Sequence, residues 1–156
     1  MAEKLLEVRN LTIGFEEPDG FDKVVDDLSF DMYQGEMVGI VGESGSGKSM
    51  TAHAIMGLWK NGAKAAGGQI LFDGKDLLAL SPEERRKIQG DDISMIFQEP
   101  MTSLNPVRRI GWQVAESLRL HTSLPEDQIR RRVLENLKSV GLSDAETICG
   151  KYPHPP

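Results

Sequence analysis

Cysteine is almost absent from this 156-residue chain. Cys149 stands alone, so no intrachain disulfide can close and no cysteine-based zinc cluster can form. Long apolar runs are missing as well, and no stretch approaches the ~18 apolar residues of a membrane-spanning helix. The opening run Met-Ala-Glu-Lys-Leu-Leu-Glu-Val has no extended apolar segment and no small-residue cleavage site, so no secretory signal is visible. Positive charge is in deficit: 18 Lys plus Arg against 24 Asp plus Glu leave a net charge of −6, which argues against a dedicated nucleic-acid binder. Arg130, Arg131 and Arg132 make the one run of three arginines, which reads as a solvated helix face. These absences lead us to expect a soluble protein of a reducing cytoplasm. What remains, 39% hydrophobic and 27% charged residues, is enough to bury a core of about one domain.

Apolar residues alternate loosely over residues 5–15 (Leu6, Val8, Leu11, Ile13, Phe15), as in a half-buried strand. Pro18-Asp19-Gly20 is turn chemistry, and residues 24–32 read as a second strand. Residues 37–41, Met-Val-Gly-Ile-Val, form a continuous apolar run that suits a strand buried on both faces of a parallel sheet. Helical spacing follows over 48–59, and 61–68 reads as a loop. Residues 69–72 and Leu77-Leu78 flank Asp73-Gly74, a hairpin signal. Ser81-Pro82-Glu83-Glu84 is a capping box opening a helix that should stop at Gly90. Residues 93–97 predict another apolar strand, ending at Gln98. Two helical stripes follow, through Ile110, Val114 and Leu118, then through Ile129, Val133, Leu134, Leu137 and Val140, closed by Gly141.

The strongest chemical signal is Gly42-Glu43-Ser44-Gly45-Ser46-Gly47-Lys48-Ser49, which fits G-x-x-x-x-G-K-[ST] between a strand and a helix. Glycines let the backbone turn sharply, so that successive N–H groups face one concavity and bind anions. The helix start adds its positive end. Lys48 supplies a charge to β- and γ-phosphates, and Ser49 places a hydroxyl where Mg²⁺ bridges them. Rival glycine motifs fail on spacing. A dinucleotide G-x-G-x-x-G would need glycine at position 50, which is Met50, and a hydrolase G-x-S-x-G would need glycine at 46, which is Ser46.

Residues 38–49 resemble the Walker A region of ABC transporter ATPases, and the run Ile-Phe-Gln-Glu-Pro-Met-Thr-Ser-Leu-Asn-Pro at 96–106 resembles their Q-loop. The wording is most similar to ATP-binding subunits of dipeptide, oligopeptide and nickel importers. The resemblance implies an α/β fold: the N-terminal part of a P-loop NTPase with an antiparallel β subdomain and the start of a helical subdomain. It places a nucleotide-binding core at 1–98 and that helical start at 99–156. Mg-ATP would be held by Phe15, Gly42, Ser44, Gly45, Ser46, Gly47, Lys48, Ser49 and Met50. Phe15 is placed like the aromatic that stacks on adenine, with Phe21 a second candidate. Lys48 and Gln98 would be catalytic, and Ser49 and Gln98 would meet the metal. Met50 departs from the family's usual threonine, so a phosphate hydroxyl contact is missing there.

Implied partners are membrane permease subunits, met through the region from Gln98 to Gly141, and a second ATPase subunit, at the inner face of the cell membrane. The sequence carries no Leu-Ser-Gly-Gly signature, no second strand ending in Asp-Glu and no switch histidine; His154 belongs to the run before the signature. The expectation is therefore Mg-ATP binding with ATPase turnover absent or very slow, and an apolar edge at 37–41 that destabilises the isolated chain. An alternative is a catalytically inactive remnant or permease-interaction fragment, which would bind the membrane subunits without nucleotide. His53, His121 and Cys149 read as structural or solvated.

Overall fold

The computed structural model describes residues 3–59, 61–98 and 103–153. The chain divides into two compact units, Met1–Gln89 and Gly90–Pro156.

The first unit is built on a four-stranded antiparallel sheet and two short helices. β1 (Lys4–Glu17) and β2 (Gly20–Tyr33) form a long antiparallel hairpin around Pro18-Asp19. β3 (Lys64–Phe72) pairs with the other edge of β1, and β4 (Lys75–Asp76) turns back on β3, giving the order β2-β1-β3-β4. One face is the core: Leu6, Val8, Leu11, Ile13, Val25 and Ile70 are buried.

The loose alternation of β1 has a physical cause. Val8 and Leu11 are three residues apart, so a regular pleat would send them to opposite faces. The backbone bulges instead: Asn10 has φ 47°, its neighbour Asp27 on β2 has φ 52°, and Gly68 on β3 has φ 91°. Pairing shifts register at this level on both sides of β1. The Asn10 amide side chain donates to Asp27 Oδ1 at 2.6 Å, and the Asn10 N–H donates to Ser29 Oγ at 2.8 Å. The bulge thus re-aims Leu11 and Ile13 onto the face already occupied by Leu6 and Val8.

Helix α1 (Lys48–Ile55) follows the glycine-rich loop, and α2 (Pro82–Ile88) follows β4. The capping box expected at α2 is present. Ser81 Oγ accepts from the Glu84 N–H at 3.3 Å, and Glu84 Oε2 accepts from the Ser81 N–H at 2.9 Å and its hydroxyl at 2.7 Å. The Ser81 hydroxyl and N–H hold the Glu84 carboxyl below its ordinary range. Because the folded value is lowered, the contribution of this cap is present above the ordinary carboxylate range and is lost as pH falls through the folded value. Acid titration followed by NMR should therefore move the Ser81 and Glu84 amides at a pH below the ordinary glutamate range, and Glu84→Gln should flatten that step.

Four sequence expectations are corrected here. Residues 37–41 form no ladder among the described residues; Met37 is 96% and Val41 95% exposed. Residues 93–97 likewise carry only an isolated bridge at Ile93, and Ile96 is 99% exposed. An apolar run becomes a strand only when a neighbouring backbone accepts its hydrogen bonds. The supposed loop at 61–68 is half strand, because residues 64–67 pair with residues 12–14 of β1. The helix expected to reach Trp59 ends at Ile55, where Gly57 takes φ 66° and reverses the chain.

In the second unit, α3 (Ile110–His121), α4 (Glu126–Ser139) and α5 (Ala145–Gly150) pack around Ala115, Ile129, Val133, Leu137 and Ala145. The two stripes read from the sequence supply much of this core. Val140, expected within it, is 74% exposed because α4 ends one residue earlier. Arg119 makes a bidentate pair with Glu126 at 2.8 and 2.9 Å, joining the end of α3 to the start of α4. Arg130, Arg131 and Arg132 are exposed, as expected.

Candidate functional site

The glycine-rich loop turns where its glycines stand. Gly45 has φ 85° and Gly47 φ 83°, a left-handed conformation that an L side chain adopts at a cost. Gly47 also has no room for a Cβ, which would lie 2.6 Å from Val25 Cγ2 and 3.1 Å from the Val24 carbonyl oxygen. The loop is thereby seated on β2, and α1 begins at the next residue.

Within the loop, the Ser46 N–H donates to the Glu43 carbonyl at 3.2 Å. The amides of Gly45, Gly47, Lys48 and Ser49 have no backbone acceptor among the described residues. The Lys48 ammonium folds back over the mouth of the loop, donating to Gly42 O at 2.8 Å, Glu43 O at 2.6 Å and Ser46 Oγ at 3.3 Å. These are neutral acceptors. Ser44 is exposed in the turn. The exposed Ser49 lies in the first turn of α1, and its hydroxyl makes no hydrogen bond among the described residues.

Met50 is half-buried in the same turn. The following Thr51 cannot replace the hydroxyl that Met50 lacks: it is buried, and its Oγ1 donates back to the Gly47 carbonyl at 3.1 Å. His53 Nδ1 lies against the Ser49 carbonyl one turn back, which fits its structural reading.

Phe15 is half-buried on β1, opposite Asp22. Two rungs on, Ile13 pairs with Val25, the residue against Gly47, so the hairpin end that bears Phe15 also seats the loop. Phe21 has a packing role, with its ring edge 2.8 Å from where a Cβ on Gly14 would stand. Gln98 belongs to the second unit, exposed in a bend. Residues 99–102 of the Q-loop-like run, and His154, lie outside the described residues. Its continuation is tied to α3: Gln113 accepts from the Asn105 N–H at 2.7 Å and donates to the Asn105 and Arg108 carbonyls at 3.0 and 2.9 Å.

A cavity of about 630 Å³ in the second unit opens among α3, α4 and α5, with Trp112, Arg130 and Cys149 on its wall. Burial pushes the Cys149 thiol up against the opposing Arg130 charge, and so disfavours the thiolate. No group of three or more His, Cys, Asp or Glu side chains suited to a metal occurs among the described residues. Nor is any described helix long and apolar enough to cross a membrane.

Sequence reasoning missed two contributors in the first unit, Arg85 and Gln89 of the α2 segment. Both reach carbonyls around the end of α1. Their only sequence signal is an i, i+4 spacing after a capping box.

The family profile described as ABC transporter matches residues 25–154. The chain is 47% identical over 153 residues to the dipeptide transport ATP-binding protein DppD of Lactococcus lactis subsp. cremoris, covering 97% of this chain and 44% of that protein. It is 43% identical over 153 residues to the oligopeptide transport ATP-binding protein OppD of Escherichia coli, covering 98% of this chain and 45% of that protein. The chain thus spans less than half the length of these relatives. Among solved structures, a dimeric bacterial ABC transporter cassette superimposes with a TM-score of 0.80 at 25% identity, covering 96% of this chain and 62% of that one. A profile match over most of the chain, carried on a cassette-like fold, establishes that this chain belongs to the ABC transporter family.

Proposed function

We propose that this chain binds Mg-ATP through the loop Gly42–Ser49 and forms the ATP-binding portion of an importer ATPase that energises peptide uptake across the cytoplasmic membrane. The observation that carries the reading is the run of amides at Gly45, Gly47, Lys48 and Ser49 without a backbone acceptor among the described residues, beside the Lys48 ammonium on the Gly42 and Glu43 carbonyls. Peptide as the cargo rests on the relatives named above.

In this reading the β- and γ-phosphates enter the concavity and Lys48 exchanges two neutral carbonyls for anionic oxygens. Charge-assisted hydrogen bonds exceed neutral ones by roughly a factor of two, so the exchange favours the nucleotide. Gly42, Ser44, Ser46 and Met50 shape the rim and first helical turn, and Phe15 stacks on adenine.

The chain also fits a magnesium ion. Mg²⁺ keeps several waters and takes one or two protein ligands beside phosphate oxygens, and the exposed, unengaged hydroxyl of Ser49 suits that role. Gln98, with a neutral amide oxygen, is the second proposed ligand and the residue that orients the attacking water. Once bound, the ion neutralises charge on the β- and γ-oxygens.

We further propose that residues 1–98 act as nucleotide-binding core and 99–156 as the start of the helical subdomain. The region from Gln98 to Gly141 then meets the membrane permease subunits at the inner face of the membrane, with a second ATPase subunit completing the assembly. Isothermal titration of the 156-residue chain with Mg-ATP tests the core of this reading. One saturable site, weakened by EDTA, is the expected result; no heat beyond dilution at millimolar nucleotide would remove it.

A further inference from the structure

Helix α1 has eight residues, roughly 12 Å of helix, too short to hold its own position in water. Its place is set from outside. At the start, Gly47 sits against Val24 and Val25 of β2. Along one face, Thr51 and Ala54 are buried. At the far end, the Gly57 N–H donates to Ala54 O at 2.9 Å and the Leu58 N–H to His53 O at 2.8 Å, closing the last turn. The carbonyls of Met56 and Gly57 then point outward. The α2 segment takes both: Gln89 Nε2 donates to Met56 O at 2.6 Å, and Arg85 Nη1 to Gly57 O at 3.3 Å. Arg85 Nη2 also donates to Leu77 O at 3.0 Å.

We propose that Arg85 and Gln89 are positioning residues for the phosphate loop, which hold the far end of α1 so that its first turn presents Lys48, Ser49 and their amides at a fixed depth. The proposal rests on the nucleotide-binding reading above. Three features support it. Arg85 and Gln89 are four residues apart, one helical turn, and so share a face. The capping box at Ser81 and Glu84 fixes where that face begins. Gly57 leaves no slack, since a Cβ there would lie 2.5 Å from Arg85 Cδ and Nη1. A cation at the C-terminal carbonyls also complements the dipole whose positive end faces the loop.

The test compares wild type, Arg85→Ala/Gln89→Ala and Arg85→Lys. In each folded protein, Mg-ATP affinity is titrated and amide exchange at residues 45–49 is followed without nucleotide. Loss of the two grips should weaken Mg-ATP roughly five- to tenfold and speed exchange at the loop. Lysine at 85 reaches one carbonyl and should recover part of both effects. Unchanged affinity and unchanged loop exchange in the folded double variant overturn the proposal. Should the double variant fail to fold, Gln89→Leu alone carries the same two readouts. Should wild type bind no nucleotide, the functional reading fails by itself, and the grip is still judged by loop exchange.

Discussion

Replacing Lys48 with alanine is expected to lower Mg-ATP affinity at least tenfold. The ammonium stands at the mouth of the loop, held there by Gly42 O, Glu43 O and Ser46 Oγ. A hydrogen bond to a charged group contributes about 1.5–3 kcal/mol, and about 1.4 kcal/mol is a factor of ten in affinity. Even one lysine–phosphate contact therefore supplies the predicted loss after its present neutral partners are given up. The backbone amides remain in the variant, so residual weak binding at high nucleotide is consistent with the same picture. Calorimetric titration of the two proteins decides it: equal dissociation constants would mean that the loop does not hold the terminal phosphates.

The second large effect concerns the sheet. Gly68→Ala should destabilise the first unit by about 3 kcal/mol, roughly 1 kcal/mol for a side chain in a left-handed conformation and the rest for crowding against backbone. Gly68 sits at φ 91°, and a Cβ there would lie 2.5 Å from Asn10 O and 2.6 Å from Arg9 O. Both neighbours are backbone at the β1 bulge, so neither can swing aside as a side chain would. Relief requires β3 to leave β1 at the level where Leu11 and Ile13 are turned into the core. Thermal unfolding followed by circular dichroism should show a midpoint for this unit lower by roughly 12–24 °C. A control at Gly62, also at positive φ but with nothing near its Cβ, should lose far less. Equal losses at the two positions would show that backbone conformation alone, and not the close approach to β1, is responsible.

Much of the candidate site was legible because its determinants are local. The spacing from Gly42 to Ser49 dictates a turn, a cation and a helix start within eight residues. The left-handed Gly45 and Gly47, and the helix beginning at Lys48, follow from it. The α2 cap was legible for the same reason, since Ser81 and Glu84 satisfy each other across one turn. Met50 is different: the missing hydroxyl was visible in the sequence, but the inward turn of Thr51 was not.

Residue order by itself determined the glycine-built turn before α1, the hairpin turns at Pro18-Asp19 and Asp73-Gly74, the α2 cap and the apolar stripes of α3 and α4. All of these are settled by contacts among residues a few positions apart. Tertiary structure alone decided that residues 37–41 and 93–97 form no ladders among the described residues, that β3 starts at Lys64, and that β1 bulges at Asn10. A strand exists only through a neighbour's carbonyls and amides, and a helix of eight residues keeps its place only through what grips its ends. Those partners lie far away in the chain, where local pattern carries no information about them.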